Sequence, residues 1–142
     1  DTAYEDAVNQ MFDGIEKNDW NMFVNSMPKE FADYLNKNVE NMGIGSGDDY
    51  IKMMSDSIKS DYGDNFKVDI KFGEKKELSK DEITDFADKI KSKCDVTLNI
   101  EKAYEVDFDA TIKGDDSEDT DSDTVTVVKI DGKWSVLDDD FI

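Results

Sequence analysis

The run Asp115-Asp116-Ser117-Glu118-Asp119-Thr120-Asp121-Ser122-Asp123 is the densest group of potential metal ligands in the chain. Asp119, Asp121 and Asp123 stand at the first, third and fifth positions from which a calcium loop supplies carboxylates. An EF-hand also needs glycine at its sixth position and a bidentate glutamate at its twelfth. Thr124 and Ile130 occupy those places. Carboxylate density alone supports only a weak calcium affinity, on the order of 10⁻⁴–10⁻³ M. The ordinary expectation for such a tract is a solvated loop tip whose charge suppresses association. Asp138-Asp139-Asp140 follows a strand and reads as its fraying end.

Proton and nucleophile chemistry have few carriers. The chain has no histidine, which removes imidazole acid–base catalysis, Ser–His and Cys–His pairs, and histidine-ligated zinc. Its one cysteine, Cys94, cannot form an intrachain disulfide or build a thiolate zinc site. Lys91 and Lys93 lie close to it, but without a base partner it reads as a small packing residue. Asp107 and Asp109 alternate with Val106 and Phe108. If the apolar pair faces inward, both acids face solvent, which argues against a buried base.

Charge excludes more than it identifies. There are 36 acidic residues against 17 basic ones, a net charge of −19, and every basic residue is lysine. Such a domain repels nucleic acid and anionic lipid, so neither is an expected partner of its surface. The 37% of hydrophobic residues in a 142-residue chain is enough for one folded domain with a real core. No stretch approaches the ~20 apolar residues that span a bilayer. The chain opens at Asp1 rather than a methionine, and a preceding segment is expected.

The elements that must position these residues follow from periodicity. Tyr4, Ala7, Val8, Met11, Phe12 and Ile15 mark one face of a helix. Asn18 or Asp19 caps a short second helix carrying Trp20, Phe23 and Val24, and Pro28 opens a third through Phe31, Tyr34, Leu35 and Val39. A glycine-rich loop leads to a fourth, capped by Ser46 or Asp48, with Tyr50, Met53, Met54 and Ile58 on its apolar face. Alternation then takes over: Phe66, Val68, Ile70 and Phe72 predict a half-buried strand. The capping box Ser79-x-x-Glu82 starts a helix that ends near Cys94. Val96, Leu98 and Ile100 predict a strand, and after a bend at 101–103 the pattern resumes from Tyr104 to Ile112. The segment 114–123 is expected to be an exposed hairpin loop, before a strand with Val125, Val127 and Ile130. Asp131-Gly132 is a tight-turn dipeptide, and Trp134 and Val136 open the last strand.

The fold class is therefore α+β, with one layer of N-terminal helices on a curved antiparallel sheet and one helix inserted between the first two strands. Three features carry a resemblance to a known superfamily: the Tyr4–Trp20 helix running into a Trp-bearing second helix, the Ser79–Glu82 helix between strands, and the closing hairpin around Asp131-Gly132-Lys133-Trp134. The chain resembles the nuclear transport factor 2-like (cystatin-like) domains, and among them small lipoproteins of Gram-positive gut bacteria. The resemblance implies a single cone-shaped domain over 1–142, an N-terminal lipid anchor, and an extracytoplasmic, cell-surface location. It also implies a pocket at the open end, with Trp20, Phe23, Tyr34, Tyr50, Met54, Tyr104 and Phe108 as candidate walls. The expected function is a non-catalytic binding or accessory domain, needing no cofactor, for a small apolar molecule or a protein or cell-wall partner. The alternatives are an isomerase, dehydratase or hydrolase that uses a pocket carboxylate and tyrosine, and a calcium-responsive acidic module.

Overall fold

A computed structural model describes residues 2–138 of the chain. Helix α1 (Ala3–Glu16) buries Tyr4, Ala7, Val8, Met11 and Ile15, the face that its three-and-four spacing predicts. Helix α2 (Trp20–Val24) is capped by Asp19, whose carboxylate accepts the Met22 N–H. Helix α3 (Lys29–Asn41) starts behind Pro28, which supplies the fixed φ of a helix entrance. Helix α4 (Gly47–Tyr62) is capped by Ser46 in a reciprocal box with Asp49. Strand β1 (Lys67–Glu77) leads to helix α5 (Lys80–Cys94), whose Ser79–Glu82 box is formed as its sequence predicts. Strands β2 (Lys102–Lys113), β3 (Glu118–Ile130) and β4 (Lys133–Val136) complete an antiparallel sheet in the order β1-β2-β3-β4.

The register assigns every sheet residue to a face. Phe72 lies opposite Phe108, Val106 opposite Val125, and Tyr104 opposite Val127. These residues face α1: Tyr4 packs edge-on to Phe72, Tyr104 and Trp134, and Phe12 packs against Phe108. The reverse face is also covered at the β4 end, where Ala103 and Val128 are fully buried. There Leu78 and Phe86 of the α5 region share a groove with Glu105 and Thr126. The single helical layer expected from the sequence is therefore joined by a second. The inserted helix lines the second face, because burying its own stripe requires a surface that α1 has not taken.

Two local expectations also change. Val96, Leu98 and Ile100 do not form a strand. Val96 and Leu98 are buried, so their alternation records burial along a connection that has no ladder partner among the described residues. The second change concerns the acidic tract. Only 114–117 turns; from Glu118 onward the chain is strand β3, paired with β2 from Lys113↔Glu118 to Lys102↔Lys129. Cross-strand partners make the difference: Thr111 meets Thr120 with hydroxyls 2.8 Å apart, and Lys113 stands opposite Glu118. The turn is held from outside, since Asp116 N–H donates to the Tyr62 carbonyl at 3.0 Å. Gly114 lies so close to that carbonyl that any Cβ there would collide with it. Asp131 and Gly132 both take positive φ, as the predicted tight hairpin requires. Asp139 and Asp140 lie outside the described residues.

Candidate functional site

The seven candidate pocket residues join the apolar core in separate groups. Trp20 contacts Phe23 and Tyr50. Its indole N–H donates to Asn36 Oδ1 at 2.7 Å, and its ring lies directly on Gly47. It thus ties α2 to α3 and α4. Tyr104 stacks on Trp134 at 4.9 Å in a different cluster, beside Tyr4, with the Lys75 ammonium 4.6 Å from its ring centre. Phe108 packs on Phe12, Tyr34 packs on Phe31, and Met54 lies half-buried against the core. Tyr34 also meets Cys94, the buried free thiol. Burial and, secondarily, that contact raise the Tyr34 pKa above its usual value.

A concave feature lies on the sheet itself. Between Phe72 and Lys75 the β1–β2 register slips, a bulge with Gly73 in it. Gly73 approaches the Asp107 backbone, where a Cβ would lie 3.4 Å from the Asp107 carbonyl oxygen. Above this bulge is a groove of about 470 Å³, lined by Lys71, Gly73, Asp107, Asp109, Ser122 and Thr124 together with Phe72, Phe108 and Asp123. Lys71, Asp107, Asp109, Ser122 and Thr124 belong to the face away from α1. Asp107 and Asp109 do face outward, as their alternation with Val106 and Phe108 requires.

Each of these acids is held by a hydroxyl across the strand. Ser122 donates to Asp109 Oδ1 at 2.6 Å, and Thr124 donates to Asp107 Oδ1 at 2.8 Å. Lys71 stands opposite Asp109 on the other side. The result is a fixed array of one cation, two carboxylates and two hydroxyls on a rigid ladder, suited to hydrogen-bonding an extended polar partner. Periodicity did not reveal it, because the groove depends on the bulge and on the β2–β3 register. The available signals were Gly73 inside a strand and the alternation of acid with hydroxyl in Asp119–Thr124.

Asp119, Asp121 and Asp123 share the face of Phe108 but lie past the helices, exposed. Successive members stand about 7 Å apart along the strand. Tyr62 reaches the row and donates to Asp119 Oδ2 at 2.9 Å, and that bond is the main cause of its raised pKa. Among the described residues, no three acidic or cysteine side chains converge on a point a metal ion could occupy. Among the same residues, no helix is long and apolar enough to cross a membrane. Comparison of the chain with protein families, with characterised proteins and with solved structures found no match.

Proposed function

We propose that the chain is a non-catalytic, extracytoplasmic binding or accessory domain of cone-shaped, nuclear transport factor 2-like type, tethered by an upstream lipid anchor, that engages its partner through the uncovered part of its sheet. The observation that carries this reading is the groove over the β1 bulge, where Lys71, Asp107, Asp109, Ser122 and Thr124 present prearranged polar groups on a rigid surface. The aromatic side chains that would wall an interior pocket are spent on contacts with one another. A net charge of −19 favours neutral or basic partners over anionic polymers. The partner class is therefore a protein segment or an uncharged wall glycan.

The test is amide chemical-shift mapping of the whole chain, titrated in turn with soluble muropeptides, a neutral oligosaccharide, and basic and acidic octapeptides. Saturable shifts are expected at residues 71–73, 107–109 and 122–124 with a neutral or basic probe. Shifts confined to Trp20, Tyr50 and Tyr104 with a small apolar probe would replace this reading with interior binding.

A further inference from the structure

The last strand of a sheet leaves a row of backbone donors and acceptors without partners. β3 is such a strand over much of its length. It runs Glu118–Ile130, yet β4 pairs only with Val127–Ile130. One further bond, from Leu137 N–H to the Thr126 carbonyl at 2.9 Å, extends the ladder. That bond also fixes the phase. Backbone groups alternate sides along a strand, so Thr124, Ser122, Thr120 and Glu118 direct their N–H and C=O groups as Thr126 does, away from β2. Among the described residues, nothing pairs with this edge except the Asp123 carboxylate, which accepts the Thr124 N–H at 2.8 Å.

The two long edges of the sheet are defended differently. β1 is broken by the bulge after Phe72, and its Val68 N–H is taken by Glu16 of α1 at 2.7 Å. Both devices block any incoming strand, whatever its sequence. β3 has no bulge: its register with β2 is continuous from one end to the other. Its main protection is charge. Asp119, Asp121 and Asp123 line one side of the strand, and Thr120, Ser122 and Thr124 line the other. Carboxylates in a row repel a second copy of this chain, because like charges across a strand pair destabilise it. They do not repel a basic strand.

We propose that the outer edge of β3, from Glu118 to Val125, accepts an extended basic segment of a partner protein as an additional strand. Lysines or arginines at alternate positions of that segment face Asp119, Asp121 and Asp123, and its intervening residues face Thr120, Ser122 and Thr124. Main-chain bonds supply the attachment, and the alternating acid row supplies the choice of sequence. The inference rests on the reading of the chain as a binding domain and names the class of partner.

The probe is a fluorescein-labelled, end-blocked octapeptide of alternating lysine and threonine, titrated into the whole chain at low salt and followed by anisotropy. Saturable binding is expected. The substitutions Asp119→Asn, Asp121→Asn and Asp123→Asn together should weaken it by roughly tenfold, the combined effect of three exposed ion pairs. Two further peptides of the same sequence are N-methylated, one on each alternate set of amides. Every charge is kept, and one of the two should lose at least about tenfold in affinity. Hydrogen exchange at the Thr120 and Ser122 amides should slow when the unmodified peptide is bound.

Equal affinity of all three peptides, or no added protection at those amides, would overturn the proposal in favour of simple charge attraction. Self-association through β3 in sedimentation would overturn it in favour of a second copy. Peptide-induced shifts at Lys71, Asp107 and Asp109 without protection of the edge would refute the added strand while leaving the binding-face reading intact. No binding by any octapeptide or glycan would remove both.

Discussion

Replacing Gly14 by alanine sets two effects against each other. Glycine inside a helix costs about 1 kcal/mol relative to alanine, so propensity alone makes Gly14→Ala stabilising. Packing argues the reverse. A Cβ on Gly14 would lie 2.6 Å from the Phe23 backbone nitrogen, 2.8 Å from its Cα and 2.9 Å from its Cβ. Two of these atoms are main chain, so no side-chain rotation relieves the contact. α2 would have to move by several tenths of an ångström away from α1. It is poorly placed to do so, since Phe23 and Val24 are almost fully buried and Trp20 is bonded to Asn36 and seated on Gly47. Overpacking of this kind costs ~1–3 kcal/mol, and rigid backbone on one side places it at the upper end. The net expectation is a loss of about 2 kcal/mol, which lowers the melting temperature of a domain this size by roughly 5–10 °C. Urea unfolding followed by tryptophan fluorescence measures it, because Trp20 lies in the displaced element. An unchanged or higher midpoint would show that α2 yields without cost and that Gly14 is not required for the α1–α2 approach.

Ser55 on α4 is almost fully buried, and its hydroxyl has no hydrogen-bond partner among the described residues. Removing an unsatisfied buried polar group relieves its desolvation cost, so Ser55→Ala should raise stability by about 1 kcal/mol. A lower urea midpoint would mean that the hydroxyl has a partner in solution. The tyrosines give the pH dependence. Burial first raises the pKa of Tyr4 and of Tyr34, and the bond to Asp119 first raises that of Tyr62. A raised folded-state pKa means that each contribution to stability is complete below the unfolded value of about 10 and is lost as pH climbs through the folded value. Tyrosinate absorbance should therefore appear at higher pH in the native chain than in denaturant, with stability falling in the same alkaline window. Superimposable titration curves would remove that linkage.

Local signals were readable where one short segment decides the outcome. The Ser79–Glu82 box, the Asp131-Gly132 turn and the apolar stripe of α1 need no distant partner, and each appears where the residues place it. Failures came where a partner strand decides. Val96–Ile100 alternates like a strand, but alternation reports which side chains are buried, and among the described residues no neighbouring strand supplies hydrogen bonds there. Asp119–Thr124 contains no apolar residue, yet it pairs throughout with β2. Its period of two is written in acids and hydroxyls, which a search for hydrophobic alternation does not read. The candidate site follows the same division. Outward-facing Asp107 and Asp109 were legible from Val106 and Phe108. The groove was not, because it is made by a register slip in β1 and by hydroxyls contributed from β3.

The position of α5 has a consequence for how the sheet assembles. β2, β3 and β4 follow one another through the turn 114–117 and the two-residue turn at Asp131-Gly132, so their pairing closes only small loops. β1 reaches β2 only across the segment 78–101. By the logarithmic dependence of loop entropy on length, that closure costs about 1.5 kcal/mol more than closing 114–117. The three-strand meander is therefore the part of the sheet that can nucleate by local contacts, and β1 joins afterwards. On this route the bulged strand, and with it one wall of the groove, is set last and is the first to be released.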